Sequence, residues 1–188
     1  MTARSYVSIA ALCTLLFAGV AAGVGNTWDE DAQAGVQAYL HGDYAAAERH
    51  LLAALRTAEE MGPEDPRLAL SLNNLALVYH AQGRYDEAEP VYKRAISITE
   101  RALGPDHPNL AASLGNLAEL YRTQKKYVEA EPLYREALMI WQQAVGSYDL
   151  QVALWLEDCA DVLRKLNRNQ EAAKMEARAN VIRAAHTI

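Results

Sequence analysis

The sequence predicts an all-α chain built as an array of helical hairpins, and three observations carry the prediction. Strict alternation of Val, Ile and Thr is missing, so period-two strands have little support. The letters YDEAEPVY at residues 85–92 return as YVEAEPLY at residues 127–134. Laying Leu68 to Asn109 over Leu110 to Gln151 gives nineteen identical positions of forty-two without a gap. With 51% hydrophobic residues over 188, the chain has material for a sizeable core.

Residues 1–25 stand apart from the rest. Arg4 precedes an apolar run from Val7 to Phe17, followed by small residues from Ala18 to Gly25. That order is the one a secretory signal peptide shows, with cleavage expected near Ala22. The competing expectation is an uncleaved membrane anchor, since Val7 to Val24 is marginally long enough to span a bilayer. Cys13 is a poor lipidation site because it lies inside the apolar run after a bulky Leu12. Removing residues 1–25 takes away one basic and no acidic residue, moving the net charge from −6 to −7. An acidic chain is ill suited to neutralising phosphates, so nucleic-acid binding is excluded. Only Cys159 then remains, no internal disulfide is possible, and its place in the leucine register of the repeats makes it a small buried hydrophobe.

Residues 26–67 read as a divergent first unit. Ala34, Tyr44, Ala47, Ala54 and the Gly62-Pro63-Glu64-Asp65-Pro66 turn echo later positions, with a one-residue slip expected between Ala34 and Tyr44. The units at 68–109 and 110–151 are the clear copies. In each, Leu72/Leu114, Leu75/Leu117, Ala76/Ala118 and Tyr79/Tyr121 fall at i, i+3, i+4 and i+7, one apolar stripe of a helix. A second stripe runs through Ala88/Ala130, Tyr92/Tyr134, Ala95/Ala137 and Ile98/Ile140, after a polar turn at 82–84 or 124–126. Pro90 and Pro132 are expected near the start of the second helix, where a missing N–H costs least. Residues 152–188 keep the phase through Val152, Leu156, Cys159, Ala160, Ala172 and Ala179, but the last helix is more polar, as suits an end unit. One hairpin cannot hide both stripes from water, so each must stack on the next.

The stretches NNLALVYHAQGRYDEAEPVYKRAI and GNLAELYRTQKKYVEAEPLYREAL resemble tetratricopeptide (TPR) repeats, and their forty-two-residue length resembles the kinesin-light-chain class. The common TPR period is shorter, so the longer second helix and the GPDHP connector are departures from it. The resemblance covers residues 30–188 and implies a right-handed superhelix whose first helices line a concave groove for peptides. On a helical wheel, Leu70, Asn73, Leu77 and His80 cluster roughly 100 to 170° from the buried stripe. The resemblance makes that face the groove, and implies that Asn74 and Asn116 bond ligand backbone, with Asp158 replacing them in the last unit. The equivalent face holds Gly115, Glu119, Arg122 and Thr123, then Glu157, Asp161, Arg164 and Lys165, and neither sign of charge dominates it.

Enzyme readings find no support in the residues. The five histidines show no metal-ligand spacing, no glycine-rich loop follows a strand, and paired acids such as Glu87/Glu89 sit at helix starts, where the helix dipole favours them. No cofactor and no metal are expected. The function expected is an exported module, periplasmic or secreted, that binds an extended peptide or partner protein. The alternative is a structural subunit of a cell-envelope assembly that self-associates through its first unit.

Overall fold

The computed structural model describes residues 27–186, all of the regular structure there being helical. The expected signal peptide lies outside the described residues. Eight helices follow in order: α1 Thr27–Leu40, α2 Tyr44–Met61, α3 Pro66–Ala81, α4 Tyr85–Leu103, α5 Pro108–Thr123, α6 Tyr127–Ala144, α7 Leu150–Lys165 and α8 Asn169–Ala185. Each odd-numbered helix packs most extensively on the helix that follows it, forming four hairpins, and each hairpin packs on the next through α2–α3, α4–α5 and α6–α7. The first helices also touch one another directly, α1 on α3, α3 on α5 and α5 on α7. This is a solenoid in which both faces of a hairpin are used.

The helix starts are written locally. Asp65, His107 and Asp149 cap α3, α5 and α7, each side chain accepting a hydrogen bond from the backbone N–H two residues on, at 2.9, 3.1 and 2.8 Å. A cap of this kind satisfies one of the orphan donors of the first turn. Pro66 and Pro108 follow directly, at the position where a missing N–H is harmless. The turns inside the hairpins need one residue in the left-handed region. Gly83 supplies it at φ 77°, whereas its counterpart Lys125 adopts φ 62° with a side chain attached.

The repeated stripes are the core. Leu75 and Leu117 are each 3% exposed, and Ala76, Ala88, Tyr92, Ala95, Ala118, Ala130, Tyr134 and Ala137 are fully buried. One contiguous cluster runs from Ala76 on α3 to Ile182 on α8, crossing three hairpins. Cys159 is fully buried within it, and burial pushes its thiol up to about 11, which suits a packing role. The last helix, α8, buries only Ala172, Ala179 and Ile182.

Two sequence expectations need correction. The one-residue slip in the first unit does not fall between Ala34 and Tyr44. Gly35, not Ala34, is the buried residue at the close approach to α2, where a Cβ would meet Leu51 Cγ at 2.6 Å. The shorter element is α2, with 18 residues against 19 in α4. Pro90 and Pro132 are the sixth residues of α4 and α6, just beyond the first turn. Each removes the donor to the carbonyl four residues back, and each lies on an exposed face where solvent can bond that carbonyl.

Candidate functional site

The first helices of the four hairpins line a shared cleft of about 280 Å³. Tyr39 of α1 closes one end. Leu77, His80 and Ala81 come from α3, Gly115, Asn116, Glu119 and Arg122 from α5, and Gln151, Leu154, Trp155, Glu157, Asp158 and Asp161 from α7, with Tyr134 of α6 reaching through from below. A cleft of this size is near the small end of ligand sites and is open along the row of helices.

Gly115 shapes the floor. A Cβ there would lie 2.5 Å from Trp155 Cζ2 and 2.8 Å from its Nε1, so the absent side chain is what lets the indole of α7 lie flat against α5. Trp155 also meets Trp141 edge to face at 5.5 Å, while Trp141 donates to Asp149 at 3.0 Å. The indole is thereby held from both sides.

The centre of the cleft is an ion pair on α5. Arg122 donates to both oxygens of Glu119, at 2.6 and 2.8 Å, and the Tyr134 hydroxyl donates to the same carboxylate at 2.8 Å. Burial works against the Arg122 charge, but the bonds and field of Glu119 outweigh it and hold the guanidinium above its ordinary value. Burial, with the fields of Asp158 and Glu119, pushes the Tyr134 phenol well above its ordinary value, so it stays a donor. His80 lies 3.3 Å from Thr123 Oγ1 through Nε2, and burial lowers its pKa against the opposing field of Glu119.

Asp158 is less well served. Its nearest cation is Arg122 at 3.9 Å, too long for a hydrogen bond. Burial, reinforced by the fields of Glu119, Asp161 and Glu157 and opposed by Arg122, pushes its carboxyl up to about 7. Glu157 is held by Arg183 of α8 at 2.5 and 2.7 Å, and Asp161 by Arg164 at 3.1 Å.

Of the residues that the sequence placed on the groove face, the structure brings Leu77, His80, Gly115, Asn116, Glu119, Arg122, Glu157, Asp158 and Asp161 together in the cleft. Leu70 and Asn73 line a separate narrow crevice between α3, α4 and α5. Asn74 is buried and lines neither of these two. Asn116 donates from Nδ2 to Asn73 Oδ1 at 3.3 Å, so part of its bonding capacity is spent between neighbouring first helices. Arg164 turns away to pair with Glu176 of α8, and Lys165 is exposed at the end of α7, outside the cleft. The expected balance of charge is therefore corrected: the lining holds Glu119, Glu157, Asp158 and Asp161 against Arg122 as its permanent cation. Sequence reading missed Tyr39, Tyr134, Gln151, Leu154 and Trp155. The one available signal was Gly115 standing where the preceding repeat has Asn73, a vacancy that a large neighbour could fill.

A row of hairpins whose first helices share a concave cleft defines a helical-repeat solenoid of the protein-interaction type. The chain belongs to the tetratricopeptide repeat family, whose model matches residues 32–101, 67–140 and 116–179. Among solved structures it is similar to BtubC (BKLC) from P. vanneervenii, at TM-score 0.74 and 25% identity over 84% of this chain, spanning 64% of that one. It is also similar to a kinesin-light-chain-like protein of Podosopora anserina with nearly identical TPR-like repeats, at TM-score 0.74 and 20% identity over 87% of this chain and 78% of that one. No match is found among curated proteins. The repeats and these neighbours make the molecule a kinesin-light-chain-like TPR solenoid, a right-handed superhelix, and such repeats serve as protein–protein interaction or scaffold modules that are generally not enzymes. Among the described residues, no helix is long and apolar enough to cross a membrane.

Proposed function

We propose that this chain is an exported, non-enzymatic adaptor that holds an extended segment of a partner protein in the cleft between α3, α5 and α7. The observation that supports it is the division of labour between faces. The stripes that pack hairpin on hairpin repeat almost letter for letter, while cleft positions diverge: Leu77 against Glu119 and His80 against Arg122. A face that varies while its scaffold stays constant is suited to specific recognition. Export rests on the sequence pattern of residues 1–25, and a periplasmic or secreted location follows from it.

Leu77→Trp narrows the cleft without changing charge. Affinity capture with the wild-type protein and this variant, from periplasmic extract or culture medium, should lose at least one partner in the variant. Equal recovery of every partner by both forms would contradict a role for the cleft. Mass spectrometry of the mature N-terminus tests export: a terminus near residue 23 is expected, and an intact Met1 on a cytosolic protein would overturn it.

A further inference from the structure

We infer that the segment held in the cleft carries a lysine or arginine, whose cation seats against Asp158 and Asp161 while its alkyl stem lies on Leu154. This rests on the reading of the cleft as a peptide groove and adds the chemistry of the guest.

The bonding left unmet in the cleft points to a donor-rich guest. Glu119 already accepts from Arg122 and Tyr134, and Glu157 from Arg183. Asp158 faces the cleft with its side chain one-third exposed and no hydrogen bond from the described residues, its nearest cation among them being at 3.9 Å. Asp161, one turn further along α7, keeps 58% of its side-chain exposure and a single exposed partner, Arg164. Gln151 supplies an independent sign. It lines the same cleft, is only 3% exposed, and its Oε1 finds no donor among the described residues. A buried acceptor left without a donor is destabilising, so a guest that offers N–H groups has something to gain there.

The remaining polar group has the opposite sense. The Trp155 indole N–H lies over Gly115 and has no acceptor among the described residues, which suits a backbone carbonyl of an extended chain. Lysine and arginine bring donors only, and their methylene stems cover apolar surface such as Leu154 and Leu77. An acidic guest would meet four carboxylates at close range.

The test is selection from a random dodecapeptide display library on the purified protein at about 0.15 M salt, where distant charges are screened. Asp158→Asn and Glu136→Gln are carried in parallel. Both remove one negative charge, but Glu136 is exposed on α6, outside the cleft. The expected result is enrichment of peptides bearing Lys or Arg, with affinity falling about tenfold in Asp158→Asn and less than about twofold in Glu136→Gln. Replacing the cationic residue of a selected peptide by Gln should weaken binding to the wild-type protein by a similar factor, a readout that needs no protein variant. If neutral or acidic peptides are enriched and lose binding to Leu77→Trp, the cation assignment falls and the groove reading stands. Equal binding by wild type, Asp158→Asn and Glu136→Gln also overturns the assignment. If no peptide is enriched, both fall.

Discussion

The second and third hairpins are near copies that differ in how they treat one hydroxyl. Tyr92 and Tyr134 occupy the same fully buried place on the second helix of each unit. Tyr134 donates to Glu119 across the hairpin, at 2.8 Å. Tyr92 faces the place where that glutamate would stand, finds Leu77 there instead, and its hydroxyl has no hydrogen-bond partner among the described residues. The same scaffold thus carries a satisfied polar bridge in one unit and an orphaned one in the next. The packing positions were fixed in both copies, whereas the concave position changed without its partner following.

The comparison can be broken first at its shared part. Leu75 and Leu117 are equally buried, so Leu75→Ala and Leu117→Ala should each cost about 2–5 kcal/mol in a denaturant titration. Because the buried cluster crosses hairpins, Leu117→Ala should unfold its neighbours in the same transition. A cost confined to one of the two leucines would show that the copies do not pack alike.

At the position that distinguishes the copies, Gly115→Ala puts a methyl within 2.5 Å of a pinned indole. The indole must move, and the expected cost is about 1–3 kcal/mol, with a change in tryptophan emission. An Ala at 115 that leaves stability and emission unchanged would mean that Trp155 does not rest there.

The two tyrosines should respond with opposite signs. Tyr134→Phe removes a bond to a charged group and should destabilise by about 1.5–3 kcal/mol. Tyr92→Phe removes a buried hydroxyl with no partner and should stabilise by about 1 kcal/mol. Equal losses in both would mean that Tyr92 has a partner after all.

The remaining prediction concerns pH. Asp158 has an unfolded pKa of about 3.9 and is pushed up to about 7 in the fold. Between those values the native state holds a proton that the unfolded state has lost. This contribution is therefore fully present below the lower value and is lost as pH rises through the upper one. Glu119 and Arg122 on α5, Glu157 and Asp161 on α7 and Tyr134 on α6 set its field, and His80 on α3, with its lowered pKa, acts in the opposite direction as pH falls below about 6.5. Asp158→Asn removes the first contribution and leaves the second. The melting temperature of wild type relative to the variant should fall from pH 5 to pH 8, and a constant difference would contradict the burial of Asp158.

The solenoid was legible because its cause is periodic. Leu72, Leu75, Ala76 and Tyr79 sit on one face by helical geometry alone, and their return forty-two residues later names the stacking partner. The cleft was legible only in part. Helical phase found Leu77, His80, Glu119 and Asp161, and the family resemblance added Asp158, but neither could say that Arg164 would turn to Glu176, or that Asn116 would bond Asn73, since long side chains choose partners across helices that the local pattern does not contain. Trp155 and Gln151 escaped because they share a helix face with core residues, and Trp155 reaches the cleft through the space that Gly115 leaves.

The central claim is that the repeated stripes hold the molecule together and the divergent first-helix face recognises a cationic segment. Amide chemical-shift mapping during titration with a selected Lys- or Arg-bearing peptide tests it most directly. The account predicts the largest changes along the cleft, at Gly115, Asn116, Glu119, Arg122, Trp155 and Asp158. Changes concentrated on the second helices α4, α6 and α8, with the cleft unmoved, would contradict it.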